Sequence, residues 1–171
     1  MYKYILILIV GIFTVNSTNA QWRKLIAAQT YGFATNPQNS KTIFVGGIDR
    51  KLYRSFDGGI SWDTLSVGFV SDGPKITNIF IHPIDTNIII AGGLGLGTIQ
   101  RSTDGGNTWK IVSTWDYPIS MPSETIINDV NNSDVIYAAN KNRSIIFKSI
   151  NKGATWDSIS RVPAFAVCTL Q

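Results

Sequence analysis

Apolar and polar residues alternate along most of the chain in short runs rich in β-branched side chains, and Gly, Asn, Asp and Pro separate these runs. This pattern is typical of short β-strands joined by turns. In the middle of the chain it predicts four strands, at 78–81, 88–91, 98–102 and 109–112. Because short connections join antiparallel neighbours, we expect these strands to form one antiparallel sheet.

The same four-strand pattern precedes and follows this segment. The first unit has predicted strands at 32–35, 42–45, 51–55 and 62–65, and the third has them at 126–130, 135–138, 145–149 and 156–159. A basic residue directly precedes a serine at the end of each third strand: Arg54, Arg101 and Lys148. The sequence therefore predicts an all-β fold built from three equivalent four-stranded antiparallel units.

An eight-residue motif at the last hairpin of each unit sets the repeat. The segments 55–62 and 102–109 both read Ser-x-Asp-Gly-Gly-x-x-Trp, and 149–156 is a diverged copy. We call these segments the box turns. Their first residues, Ser55, Ser102 and Ser149, are spaced by 47 residues, a period typical of β-propeller blades.

Three blades do not close a ring, since closed propellers hold about 4 to 8 blades. Residues 164–168 resemble the opening strand of a further unit. We therefore expect three blades over 21–163 and the start of a truncated fourth blade over 164–171. Either the sequence is a fragment of a longer protein, or another chain completes the ring.

The residue types of the box turns have a structural explanation. The aspartates can accept hydrogen bonds from nearby backbone N–H groups, and the glycines adopt backbone angles closed to other residues. The serine can join this network, and the tryptophan can cover the hairpin. Since Asn replaces Asp in the third copy, we expect that copy to be looser. The structural positions are Ser55, Asp57, Gly59 and Trp62, then Ser102, Asp104, Gly106 and Trp109, and then Ser149, Asn151, Gly153 and Trp156.

The three box turns resemble the Asp-box, or BNR, repeat of sialidase, sortilin-type and xyloglucanase-type propellers and of photosystem assembly factors. The segments 36–54 and 82–102 resemble blades of the xyloglucanase-type family. This resemblance implies a propeller fold in which the boxes are structural and lie away from the ligand.

The end of the sheets opposite the box turns, which we call the loop face, holds the predicted ligand-binding residues. It comprises the connections between second and third strands and the links between units. The binding candidates are Arg50, Trp115, Tyr117 and Arg143. Exposed aromatic side chains can stack on sugar rings or peptides, although Trp115 and Tyr117 could instead plug the space between neighbouring blades.

Asp49 and Asp116 are weak catalytic candidates, because a glycoside hydrolase needs two carboxyl groups flanking the scissile bond. In the xyloglucanase-type family a catalytic aspartate lies on a loop of an early blade, and Asp49 is the nearest match. Arg50 and Lys51 follow it where that family has an Asp-x-Gly-Gly pattern. A turn aspartate is the alternative for Asp49. A sialidase-like site would need an arginine cluster, and only Arg50 and Arg143 are well placed.

The first 20 residues are predicted to be a secretory signal peptide. Lys3 precedes an apolar run at 5–13, and small residues at 18–20 precede a cleavage site. The run is shorter than the ~20 residues of a membrane-spanning helix, so we expect export to the periplasm or the cell exterior without stable membrane insertion. The net charge is +4, and the basic residues are spread along the chain without forming a stripe, which argues against nucleic-acid binding. A single His and a single Cys predict neither a metal site nor a cofactor.

These observations predict an exported propeller module that binds a protein or a glycan on the loop face without catalysis. The alternative is the N-terminal part of a secreted glycoside hydrolase, xyloglucanase-like or sialidase-like. A third hypothesis, an assembly chaperone, predicts a stable protein partner and no sugar binding.

Overall fold

The computed structural model describes residues 29–47, 51–67, 75–94, 98–114, 126–140 and 145–161. Within these ranges the chain forms three sheets of four strands each, and no helix is long and apolar enough to cross a membrane. Blade 1 consists of β1 (Thr30–Asn36), β2 (Asn39–Gly47), β3 (Lys51–Ser55) and β4 (Asp63–Ser66). Blade 2 consists of β5 (Lys75–Ile81), β6 (Ile89–Leu94), β7 (Thr98–Ser102) and β8 (Lys110–Thr114). Blade 3 consists of β9 (Ile126–Asn128), β10 (Ile136–Asn140), β11 (Ile145–Ser149) and β12 (Asp157–Arg161).

Each blade is a meander in which every strand pairs antiparallel with the next one. This arrangement confirms the predicted all-β fold class and the four-stranded units. The third strand has its predicted bounds in all three blades, and each fourth strand begins one residue after the tryptophan of the box turn. The predicted signal peptide at 1–20 and the predicted fourth blade at 164–171 lie outside the described residues.

One predicted loop is partly strand. The glycine-rich segment 92–97 lies between the predicted strands 88–91 and 98–102, yet β6 continues to Leu94. The reason is cross-strand pairing, since Gly92 lies opposite Asn78 and Gly93 lies opposite Ile76 in β5. The glycines therefore belong to the sheet, and their backbone pairing outweighs their low strand propensity.

A side-chain acceptor caps the turn between the first and second strands of each blade. In blade 2 it is Nδ1 of the fully buried His82, which lies 3.3 and 3.0 Å from the backbone nitrogens two and three residues on. The Oδ1 atoms of Asn36 and Asp129 do the same in blades 1 and 3. His82, Asn36 and Asp129 therefore occupy equivalent positions although they are different residue types. The turn requires an acceptor at this position, and three different residue types provide one.

The hydrophobic core lies between the blades, and the middle sheet contributes to it on both faces. Ile89 and Ile90 are adjacent in β6 and both are fully buried. Because side chains alternate along a strand, Ile89 packs towards blade 1 and Ile90 towards blade 3. The first cluster contains Phe44, Leu52, Val67, Ile76, Ile81, Ile89 and Ala91, and the second contains Ile90, Ile99, Ile126, Ile136, Ala138 and Phe147.

The blades approach one another most closely at their first strands. Strands β1 and β2 lie against β5, and β5 lies against β9. Gly46 permits this approach, because a Cβ atom there would lie 2.8 Å from the Cβ of Ile76. Sheets that meet at their first strands are arranged radially, as the blades of a propeller are.

Candidate functional site

The residues predicted to bind or to catalyse lie in segments outside the described ranges. They are Asp49, Arg50, Trp115, Asp116, Tyr117 and Arg143. The flanking strand ends are described: Gly46 pairs with Leu52, and Lys51 pairs with Ser66. These pairs lie at the end of blade 1 opposite its box turn, so the six residues stay predictions for that end of the sheets.

At the other end, one backbone hydrogen bond in each blade joins the box turn to the first turn or to the start of the second strand. The N–H of Gly105 donates to the carbonyl of Asn87 over 3.0 Å. Gly58 and Lys152 make the equivalent bonds in blades 1 and 3. The box turns therefore share one end of the sheets with the first turns.

A buried serine hydroxyl holds each box turn closed. In blade 2 the hydroxyl of Ser102 accepts from the backbone N–H groups of Gly106 (2.9 Å) and Asp104 (3.2 Å) and donates to the carboxylate of Asp104 (2.7 Å). Ser55 and Ser149 repeat all three bonds. All three serines are 1% exposed, so each hydroxyl satisfies backbone N–H groups that water reaches poorly.

The aspartate carboxylates are occupied by their own turns. Asp104 accepts from the hydroxyl of Thr108 (2.6 Å) and from its backbone N–H (2.9 Å), and these bonds lower the pKa of Asp104 to about 2. Asp57 accepts equivalent bonds from Ser61, which hold the pKa of Asp57 far below its ordinary value. A catalytic acid must hold a proton near neutral pH. The box aspartates are therefore structural groups and unsuited to proton donation.

Asn151 keeps the third box turn intact. Its Oδ1 accepts from the Thr155 N–H and the Ser149 hydroxyl, each over 2.9 Å, and its Nδ2 donates to the Thr155 hydroxyl over 2.9 Å. The loosening expected for this copy is absent from its hydrogen bonds. An amide supplies the same acceptor as a carboxylate and adds a donor, and Lys152 adopts the left-handed backbone (φ 57°) that glycine has in the other copies.

The tryptophans close the box turns from the core side. The indole Nε1 of Trp109 donates to the carbonyl of Gly106 over 2.9 Å, and its ring packs on the core between blades 1 and 2. Trp62 and Trp156 make the same bond to Gly59 and Gly153 over 3.1 Å. Each indole thus closes its own hairpin with one hydrogen bond, and the rings of Trp109 and Trp156 also pack against the core clusters.

Two arginines join neighbouring blades. The guanidinium of Arg54 donates to the carbonyl of Gly105 and to Oδ1 of Asn107, both over 2.9 Å. In the next blade, Nε of Arg101 donates to the carbonyl of Lys152 over 2.8 Å. From the sequence, both arginines are predicted only to be strand residues. The signal for this role was a basic residue recurring before each box turn, but alternation along a strand does not indicate which blade the side chain reaches.

The chain is similar to a curated xyloglucanase and to solved β-propeller structures. No protein-family model matches the chain. A curated relative, the xyloglucanase Xgh74A of Acetivibrio thermocellus, is 28% identical over 101 residues, which cover 52% of this chain and 12% of the relative. The chain thus spans about an eighth of that protein's length.

Two solved structures superpose on most of the chain. An ancestral GH74 enzyme matches with a TM-score of 0.64 and 24% identity, over 77% of this chain and 18% of that one. YCF48 bound to D1 peptide matches with a TM-score of 0.57 and 17% identity, over 77% of this chain and 39% of that one. At sequence identities this low, the matches are evidence for the fold alone. Together with the radial packing of the three sheets, these matches show that the chain has a β-propeller architecture.

Proposed function

We propose that the chain is an exported Asp-box propeller segment that binds a polysaccharide on its loop face. The observation that carries this proposal is the sequence similarity to a xyloglucanase over 101 residues, because the propeller fold itself occurs with many functions. The pattern of residues 1–20 supports export, and the bonding of the box turns supports the Asp-box assignment.

The hydrogen bonds at the box-turn end of the blades support a ligand site at the other end, on the loop face. The serines and aspartates of the box turns are already satisfied within the turns. In contrast, Trp115 and Tyr117 offer aromatic faces for stacking on sugar rings, and Arg50 and Arg143 offer donors to sugar oxygens. These four residues belong to three segments that the sequence predicts to lie at the loop face.

Affinity electrophoresis in gels containing xyloglucan tests this proposal. We expect retardation of the purified chain, loss of retardation in Trp115→Ala and Tyr117→Ala, and no change in Phe56→Ala. Phe56 is a matched control because it is an exposed aromatic residue in a box turn. Equal retardation of the native chain and both loop-face variants would contradict the proposal.

A more specific form of this proposal includes catalysis. In that form the blades are the N-terminal part of a glycoside hydrolase. Asp49 and Asp116 would then be carboxylates of the site. Release of reducing ends from xyloglucan that disappears in Asp49→Asn or Asp116→Asn supports the hydrolase. Binding without turnover supports a non-catalytic module.

A protein ligand is the second candidate, favoured by the structural match to YCF48 bound to D1 peptide. The same loop-face aromatic residues could contact a peptide instead of a sugar. Screening the purified chain against a peptide library and a glycan library separates the two candidates. Selective peptide binding that Trp115→Ala abolishes would favour the protein ligand.

A further inference from the structure

The first strand of blade 1 contains an extra residue near the loop face. Thr30 pairs with Gly47 in β2, and the next pair joins Gly32 and Gly46. Tyr31 is therefore one additional residue between two consecutive pairs of the ladder, which makes it part of a β-bulge. Bulges re-aim a side chain and are common next to binding and active sites. Because β1 ends at the first turn, its bulge lies at the opposite end of the sheet, towards the loop face.

Blade 2 has the same bulge at the equivalent position. In β5, Ile76 pairs with Gly93, and the next pair joins Asn78 and Gly92. Thr77 is the additional residue there. Since the bulge recurs in two blades, it is a regular feature of these first strands. The residue that occupies it differs, so the blade itself does not require an aromatic ring at this position.

The two bulges lie against each other. A Cβ atom added to Gly32 would lie 2.9 Å from the carbonyl oxygen of Ile76 and 3.2 Å from the carbonyl carbon of Thr77. The first strands are also where blades 1 and 2 come closest, so both bulges lie near the centre of the radial arrangement. Tyr31 directly precedes Gly32 and is therefore carried by a closely packed backbone.

The side chains at the two bulges have different surroundings. Tyr31 is 46% exposed, whereas Thr77 is 4% exposed. A tyrosine has only two side-chain torsions to fix, so it provides a large contact area at a low cost in conformational entropy. Its ring offers an apolar face for a sugar, and its hydroxyl can exchange hydrogen bonds with sugar hydroxyl groups. These properties suit a residue that binds a carbohydrate.

We propose that Tyr31 is a further ligand-binding residue, whose ring stacks on a sugar unit of the bound polysaccharide. This inference rests on the proposed function. It extends the ligand site from the strand connections of the loop face to the innermost strand of blade 1. The bulge sets the direction of the side chain, and the packing of Gly32 on β5 holds its backbone in place.

Affinity electrophoresis in gels of graded xyloglucan concentration tests this inference with three variants. Tyr31→Thr copies the bulge residue of blade 2 and removes the ring, and it should raise the dissociation constant about tenfold. Tyr31→Phe keeps the ring and should raise it by at most about threefold. Phe33→Thr is the matched control and should leave it unaltered. It removes an exposed ring from the same strand, at a position that pairs in register with Val45.

The outcomes separate this inference from the proposed function. Retardation of the native chain that Tyr31→Thr leaves unchanged would overturn this inference alone. The same holds if Tyr31→Thr and Phe33→Thr weaken binding equally, or if Tyr31→Phe weakens it as much as Tyr31→Thr. A native chain that xyloglucan does not retard would overturn both proposals.

An NMR titration keeps the inference testable if Tyr31→Thr fails to fold. Carbon-13 labelling of the tyrosine rings in the native chain gives resolved ring signals, and the signal that is missing in Tyr31→Phe belongs to Tyr31. Adding a xyloglucan oligosaccharide should shift that signal, because a stacked sugar changes the surroundings of the ring. A shift at other tyrosines that leaves the Tyr31 signal in place would refute stacking.

Discussion

The packing of the box turn on the preceding blade predicts that alanine substitutions at two adjacent glycines lower the free energy of unfolding by different amounts. Gly105 and Gly106 both have positive φ angles, 69° and 90°, in the same turn. The nearest atom to an added Cβ is Oδ1 of Asn87 at 3.7 Å for Gly105, an ordinary contact. For Gly106 it is Cε1 of Phe44 at 3.0 Å. Gly105→Ala therefore tests backbone strain, and Gly106→Ala tests strain together with the packing between blades.

The two costs can be worked out separately. A left-handed backbone costs a non-glycine residue about 1–2 kcal/mol, which applies to both variants. Overpacking of a well-filled core costs about 1–3 kcal/mol more, and it applies only to Gly106→Ala because the buried Phe44 ring cannot move into solvent. Lys152, with a φ of 57° at the position equivalent to Gly105, shows that this first position accepts a side chain.

Urea denaturation followed by tryptophan fluorescence measures the difference. With a slope of about 1–3 kcal/mol per molar urea, Gly106→Ala should unfold at roughly 1 M less urea than Gly105→Ala. In the Gly106→Ala background, Phe44→Leu should cost less than it does alone, because the two sites are in contact. Equal midpoints for the two glycine variants, or additive effects of Gly106→Ala and Phe44→Leu, would refute the reasoning.

Three further predictions concern the same turns. Ser102→Ala leaves the Gly106 N–H without its acceptor and should lower the free energy of unfolding by about 1–3 kcal/mol; an unchanged urea midpoint would contradict this. Since the pKa of Asp104 is lowered to about 2, its carboxylate contributes stability above about pH 4 that is lost as the pH falls towards 2. Asp104→Asn, which copies Asn151, should flatten the pH dependence of the urea midpoint over that range and change little at pH 7, whereas an identical acid transition would argue against it. Arg101→Ala should speed hydrogen exchange in the box turn 149–156 more than in 102–109, and equal acceleration in both would exclude a local contact.

The sequence was sufficient for the fold because its strongest signals are local. Alternation defines strands, and the 47-residue spacing of Ser55, Ser102 and Ser149 aligns them, so the third strands were predicted with their observed bounds. The cap of the first turn was harder to predict, because His82 and Asp129 both supply a side-chain acceptor but are different residue types. Residue similarity was therefore a poor guide to equivalent positions in these turns.

Contacts between blades could not be predicted from the same signals. Whether Arg54 points along its own sheet or towards the next blade depends on how two sheets pack, and alternation within one strand carries no such information. The same limit applies to Ile89 and Ile90, which are chemically alike and face opposite blades. The basic residue recurring in register was visible in the sequence, but only the packed sheets give it a partner.

The distribution of repeated and unrepeated residues separates the scaffold from the proposed ligand site. Ser102, Asp104 and Trp109 recur in the other blades as the same residue or a close substitute, because each makes a bond that every blade needs. Trp115 and Tyr117 have no counterparts at that spacing in the other units. A residue required by the blade should recur in every blade, whereas a residue required by a ligand need occur only where the ligand lies. This contrast makes the segment around Trp115 the place to begin the search for the ligand.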